Sequence, residues 1–288
     1  MKYLIYGYTG WIGNKLSTLI QESDNIVIGS VARMENRRDL LNEISMKKPD
    51  RVIVASGKTG TPNVDWCEDN KEETLVTNVI GILDIVDVCK KFGIHCTVFA
   101  TGCIFEYDEK HKVGGIGFTE DDSPNFKDSY YSYTKGVVEE LIRNSGYLDN
   151  TLILRIRMPI SDKLEPKNFI TKIVGYEKVI NIPNSMSVLT DLLPISIKMS
   201  EVKETGIYNF TNPGVISHND CLEYYKMFVD SEFEYTNFTV EEQDTILKSK
   251  RSNNFLSTTK LQTFCSKHNL KLPGIHTSVR KILKNIKK

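Results

Sequence analysis

Residues 2–13 read KYLIYGYTGWIG, and this stretch decides the fold. Lys2 to Tyr6 is a short apolar run, Gly7, Gly10 and Gly13 follow at intervals of three, and apolar residues then recur three and four apart from Trp11 to Glu22. That succession is strand, glycine-rich turn and amphipathic helix. A tight turn, a close approach of backbone to a pyrophosphate and close packing of helix on strand each exclude a Cβ, while the helix N-terminus offers amide donors to phosphate oxygens. Gly7, Thr9, Gly10, Trp11, Ile12 and Gly13 are therefore expected at a dinucleotide, with Trp11 packing rather than stacking.

Working outward, residues 26–28, 51–55, 94–99 and 151–156 read as further strands, and residues 36–46, 74–92 and 129–145 as further helices. The order βαβα predicts a parallel sheet, and the fold class is α/β, a Rossmann-type doubly wound parallel sheet with a smaller C-terminal substrate-binding lobe. Past about Met158 the regularity breaks, with Pro159, Pro166, Pro183, Pro194 and Pro213 punctuating shorter segments. The expected division is residues 1–157 as an NADP-binding domain and residues 158–288 mainly as the substrate-binding lobe, some of its segments returning to the first domain. After the second strand the sequence runs Gly29-Ser-Val-Ala-Arg33-Met-Glu-Asn-Arg37-Arg38. An acid there would grip a ribose 2′-hydroxyl; Arg33 instead matches a 2′-phosphate, which favours NADPH over NADH.

Composition bounds the function. Lysine plus arginine equals aspartate plus glutamate at 37 each in 288 residues, so no global field points to nucleic acid or to an anionic membrane. No stretch has the order of a signal peptide and no apolar run reaches membrane-spanning length, so a cytoplasmic protein without membrane contact is expected. The six cysteines, at 67, 89, 96, 103, 221 and 265, show no CxxC spacing; neither a metal site nor disulfides are expected, and the Asn209 and Asn237 sequons read as inert. The basic tail from Arg280 reads as the end of an amphipathic helix.

The chemistry sits in Tyr131-Ser-Tyr-Thr-Lys135, where a spacing of four puts a phenol and an ammonium on one face of a helix. The expectation is that the ammonium favours the phenolate and pulls the tyrosine pKa down from about 10. Thr101, ending the preceding strand, supplies a hydroxyl to the same oxygen of a substrate, and Cys103, two residues on, is expected on the same side of an extended backbone. Taken with Gly7, Gly10, Gly13 and the Asn78 of "TNVIG", this set resembles the extended short-chain dehydrogenase/reductase family. Dehydratases of that family resemble one another in an Asp-Glu pair directly after the threonine. Gly102-Cys103 stands there instead, and with "FATGCIFEYD", "YYSYTK", "NFITKI" and "NFTNPGVISHN" it resembles the family's nucleotide-sugar 3,5-epimerase/4-reductases.

The resemblance implies a UDP-4-keto-6-deoxyglucose substrate, NADPH as cofactor, a separate upstream 4,6-dehydratase and UDP-L-rhamnose as product. It implies catalytic roles for Thr101, Cys103, Tyr131, Lys135 and Lys172, with Lys135 also anchoring the nicotinamide ribose, and substrate contacts from Asn168 and Arg251. Cys103 and Lys172 share the proton transfers at C3 and C5, the choice of base and acid between them left open. Arg155 and Arg157 read either as diphosphate clamps or as buried ion pairs, and Ser217 in "ISHND" as a helix N-cap rather than His218 as a base. A reductase without epimerase activity and an NADP-binding subunit without turnover are the competing readings; a homodimer is left open.

Overall fold

The computed structural model describes residues 1–61 and 63–286. The first half runs β1 (Lys2–Tyr6), α1 (Trp11–Gln21), β2 (Ile26–Gly29), α2 (Arg37–Lys47), β3 (Arg51–Val54), α3 (Trp66–Asp69), α4 (Lys71–Leu75), a π-helical segment (Val76–Ile80), α5 (Gly81–Lys91), β4 (His95–Thr101), α6 (Tyr130–Asn144) and β5 (Thr151–Ile156). There follow α7 (Phe169–Val174), β6 (Lys178–Val179), α8 (Leu189–Glu201), β7 (Gly206–Asn209), α9 (His218–Phe228), β8 (Thr236–Asn237), α10 (Val240–Ile246), α11 (Thr259–Lys267) and α12 (Ile275–Asn285). The basic tail enters α12, and Lys287 and Lys288 lie outside the described residues.

The chain forms two compact units. The first holds Met1–Ile104, Ser123–Arg155 and Ser196–Tyr208; the second holds Phe105–Asp122, Ile156–Ile195 and the chain from Asn209 on. One sheet of six strands has the order β2-β1-β3-β4-β5-β7, with β1 parallel to both β2 and β3, and β3 parallel to β4. Every residue of β3 is buried, as are four of the five in β1, which is why these strands read as unbroken apolar runs. Leu4, Val52, Val54, Val98 and Ile153 from the strands meet Ile82, Val86 and Leu40 from the helices in the first unit's core.

From β1 the chain goes out to β2 and returns past β1 to β3. The sheet therefore changes direction between β1 and β3, and the crevice beyond their carboxyl ends is where an open α/β sheet takes a ligand. The second unit has its own core, in which Ile170 and Ile173 of α7, Cys221 and Leu222 of α9, and Val279 and Leu283 of α12 come together. A two-stranded sheet joins β6 to β8.

Two expectations from periodicity are corrected. The single helix over residues 74–92 is broken by the π-helical segment, whose apolar spacing is indistinguishable from that of the α-helix around it. Pro194 ends nothing; it lies inside α8, which runs on to Glu201. Among the described residues no helix is long and apolar enough to cross a membrane, and no three His, Cys, Asp or Glu residues gather as a metal site.

Candidate active site

The turn after β1 is made by missing side chains. Gly7 has φ +80°, and a Cβ on it would lie 2.8 Å from Ser56 N, at the end of β3. A Cβ on Gly13 would lie 2.1 Å from Gly7 O, so α1 packs against the turn as only glycine allows. Gly10 donates its N–H to Gly7 O at 2.9 Å and is the N-cap of α1, where no side chain takes up the first amides. Those donors face the place expected for a phosphate. Trp11 and Ile12 start α1, Trp11 carrying Lys15 Nζ 5.8 Å from its ring centre, and Thr9 is exposed at the turn.

Beyond β2, Arg33 is 85% exposed, its guanidinium 3.5 Å from Glu35. Glu43 of α2, which sequence reading missed, braces this segment from inside. It accepts hydrogen bonds from Tyr6 Oη at 3.0 Å, Ser30 Oγ at 2.6 Å and the Val31 N–H at 2.9 Å. A buried glutamate in a helix was the available signal, but nothing local shows what it reaches.

At the end of β4 the geometry differs from expectation. Thr101 is the last strand residue, and its hydroxyl accepts the Cys103 N–H at 3.0 Å, closing a turn through Gly102. Cys103 therefore reaches the site by a side-chain-stapled turn, not by strand alternation. It is also the one cysteine of six that is not buried. Ser129 caps α6 by accepting the Ser132 N–H at 3.1 Å, which starts the helix so that Tyr131 falls in its first turn and Lys135 one turn later.

The Thr101 hydroxyl lies close enough to the Tyr131 phenol to act on its ionisation. Burial pushes that phenol well above the ordinary tyrosine value, with Cys103 pushing the same way, Thr101 opposing and Cys67 adding to the rise. The expected lowering by Lys135 is thus corrected: removal from water dominates, Lys135 is not among the groups acting on the phenol, and Tyr131 is held as a proton donor. Burial lowers Lys135 to about 8, with Cys67 opposing, so at neutral pH its ammonium persists. Asn78, from the π-helical segment, accepts the Lys58 N–H at 2.8 Å and donates to Lys58 O at 2.9 Å. This clamps the chain after β3 so closely that a Cβ on Gly57 would lie 3.2 Å from Lys135 Nζ.

The remaining expected residues belong to the second unit or to the first unit's core. Asn168 is fully buried; it caps α7 by accepting the Ile170 N–H at 3.1 Å and donates to Ser161 O and Lys163 O at 3.0 and 2.7 Å. Its amide thus builds α7 rather than facing a ligand. Lys172 is solvent-accessible in the last turn of α7, its pKa lowered by partial burial and by Lys167. Arg251 donates to Ser249 O at 2.7 Å and Ser249 Oγ at 2.9 Å.

Arg155 is a buried ion pair and no clamp: its Nε lies 2.9 Å and its Nη2 2.5 Å from the two oxygens of Glu139. Arg157 is 1% exposed and donates to Ser252 Oγ at 3.0 Å and Asn184 Oδ1 at 2.8 Å. Ser217 does cap α9, in a reciprocal box with Asp220, while burial and Arg157 push His218 down to about 4.

The fold and this site define a Rossmann-like α/β protein with a hydroxyl, phenol and ammonium set at the end of its fourth strand. The family model described as RmlD substrate binding domain matches residues 1–221, and the chain belongs to that family. It is 52% identical over 263 residues to the bifunctional dTDP-4-dehydrorhamnose 3,5-epimerase/dTDP-4-dehydrorhamnose reductase of Arabidopsis thaliana, covering 91% of this chain and 86% of that one.

A longer relative from the same plant is the trifunctional UDP-glucose 4,6-dehydratase/UDP-4-keto-6-deoxy-D-glucose 3,5-epimerase/UDP-4-keto-L-rhamnose-reductase. It is 52% identical over 264 residues, but the match spans 91% of this chain and only 39% of that protein. The crystal structure of the UDP-rhamnose synthase of Acanthamoeba polyphaga mimivirus superimposes with a TM-score of 0.94 at 38% identity over 99% of both chains. The dTDP-4-dehydrorhamnose reductase of Bacillus anthracis in complex with NADP, at 15% identity, shares the fold with a TM-score of 0.81 over 99% of this chain and 98% of its own.

Proposed function

We propose that the chain reduces the C4 ketone of a nucleotide 4-keto-6-deoxyhexose with NADPH, and that the same site first epimerises C3 and C5, converting UDP-4-keto-6-deoxyglucose to UDP-L-rhamnose. The observation that carries this reading is the Thr101 turn. One hydroxyl accepts the amide of the sole unburied thiol, Cys103, and lies close enough to the Tyr131 phenol to act on its ionisation. The names of the relatives support the same reading.

The residues present fit the cofactor. The glycine turn leaves room that a Cβ would fill, α1 starts at a glycine N-cap that makes no side-chain bond, and Arg33 is exposed as a 2′-phosphate would need of a cation. NADPH supplies hydride to C4. Tyr131, held protonated by burial, donates the proton that the new alkoxide at O4 requires, and Lys135 remains charged beside it at neutral pH.

Epimerisation needs no second site. A ketone at C4 acidifies the hydrogens at both C3 and C5, because loss of either places the charge on O4, where the Tyr131 and Thr101 hydroxyls stabilise it. Cys103 exchanges protons at these carbons, and the resemblance adds Lys172 as the second proton carrier. Elimination of water is assigned to a separate 4,6-dehydratase, since Gly102-Cys103 offers no carboxylates after Thr101.

Incubation of the protein with UDP-4-keto-6-deoxyglucose in deuterium oxide tests the reading. Deuterium is expected at C3 and C5, and added NADPH is expected to give UDP-L-rhamnose. Reduction without label would leave a 4-reductase alone; neither label nor reduction would sink both halves.

A further inference from the structure

Helix α6 carries Tyr131 and Lys135, and its start is held from two directions. Ser129, next to it in sequence, accepts the Ser132 N–H. Glu68, 62 residues away on α3, accepts the Tyr130 N–H at 2.7 Å through Oε1. The two acceptors take up different amides, and Ser129 caps the helix from its own end of the chain. What the second acceptor adds is a fixed link between α6 and a different part of the chain, made at the residue directly before Tyr131.

The rest of α3 is built for such a link. Cys67, fully buried, lies close enough to Lys135 and Tyr131 to act on the charge of both. Trp66 is packed under the loop after β3: a Cβ on Gly60, which has φ +72°, would lie 2.4 Å from the Trp66 Cβ, and Lys58 Nζ stands 4.7 Å from the ring centre. Trp66, Cys67 and Glu68 in succession thus hold the loop that Asn78 clamps, the surroundings of the ammonium and the turn that presents the phenol.

Resting on the reductase reading above, we propose that Glu68 is a positioning residue for Tyr131, its carboxylate setting the first turn of α6 through the Tyr130 amide so that the phenol meets O4 in line. Displacement of a reacting group by about 1 Å costs on the order of 100-fold in rate, so loss of one such anchor has a catalytic signature. Glu68→Ala is expected to lower kcat for the 4-keto sugar about 10- to 30-fold, with KM for the sugar and the NADPH Kd within about 3-fold of wild type. Glu68→Gln keeps an oxygen that accepts the Tyr130 N–H and is expected to restore kcat to within about 3-fold.

The NMR signal of the ring-labelled Tyr131, assigned by its loss in Tyr131→Phe, gives a readout independent of turnover. It is expected to shift or broaden in Glu68→Ala and to return in Glu68→Gln. Equal kcat in Glu68→Ala and wild type, with only a lower Tm, would make Glu68 a helix cap alone and overturn the proposal. Equal loss in both variants would overturn it too, by assigning the effect to charge. If the wild type turns over no 4-keto sugar, the reductase reading fails, and an unmoved Tyr131 signal in Glu68→Ala then decides against Glu68 separately.

Discussion

Two turns at the carboxyl edge of the same sheet solve one problem in opposite ways. The turn after β1 brings backbone close to a ligand by having no side chains: at Gly7 and Gly13 a methyl group would meet main-chain atoms at 2.8 and 2.1 Å. The turn after β4 is held by a side chain, the Thr101 hydroxyl, which accepts the Cys103 amide beside the Tyr131 phenol. The first is a mould and tolerates no added atom. The second is a linkage and depends on one oxygen, so removal rather than addition damages it.

The largest expected effect separates the thiol from the turn that carries it. Cys103→Ser should cut deuterium incorporation at C3 and C5 by about 1,000-fold while leaving reduction of an already epimerised UDP-4-keto-sugar within a few-fold, read by mass spectrometry and NADPH oxidation. Loss of both together would show that the linkage serves a single chemistry. Gly13→Ala tests the mould: its Cβ must displace Gly7 O, and NADPH affinity should fall on the order of 100-fold, measured by fluorescence titration.

Thr101→Val tests the linkage. The Cys103 N–H loses its acceptor, and kcat should fall about 10-fold, the equivalent of one lost hydrogen bond, with Thr101→Ser close to wild type. Equal effects of Val and Ser would mean that the methyl group, not the hydroxyl, matters. The smallest effect is in the pH profile. Lys135 is charged below about 8 and neutral above it, so a rate that needs the ammonium should be halved near that pH and decline further as pH rises. Tyr131 stays protonated across this window, because its pKa lies above the ordinary tyrosine value. A flat profile to pH 9 would remove Lys135 from the rate.

The same contrast explains what the sequence disclosed. The mould is written in residue identity: a glycine at each of three positions after an apolar run has few other uses, and β1 and α1 follow from it. The linkage is not written so plainly. Thr101 and Cys103 two apart suggest extended alternation, and only coordinates show the hydroxyl folding the chain back at Gly102. Tyr131 and Lys135 were placed on one face by spacing, but the sign of the tyrosine shift depends on burial, which spacing does not carry. The resemblance implied a ligand contact for Asn168, whereas three backbone partners engage it in capping α7. Glu68 and Glu43 act across 62 and 12 or more residues, and no local pattern announces either.

The π-helical segment ahead of α5 has a consequence for phase. Each residue of an α-helix turns the next by about 100°, so one extra residue taken up in Val76–Ile80 offsets the two flanking helices by that angle. With that offset Asn78 holds Lys58 while Ile82, Ile85 and Val86 lie in the core. Deleting a single residue there would let the winding run regular and force a choice, either the clamp beside Lys135 or the apolar stripe of α5. The ammonium of Lys135 and the hydrophobic core are in this way tied to one count of residues.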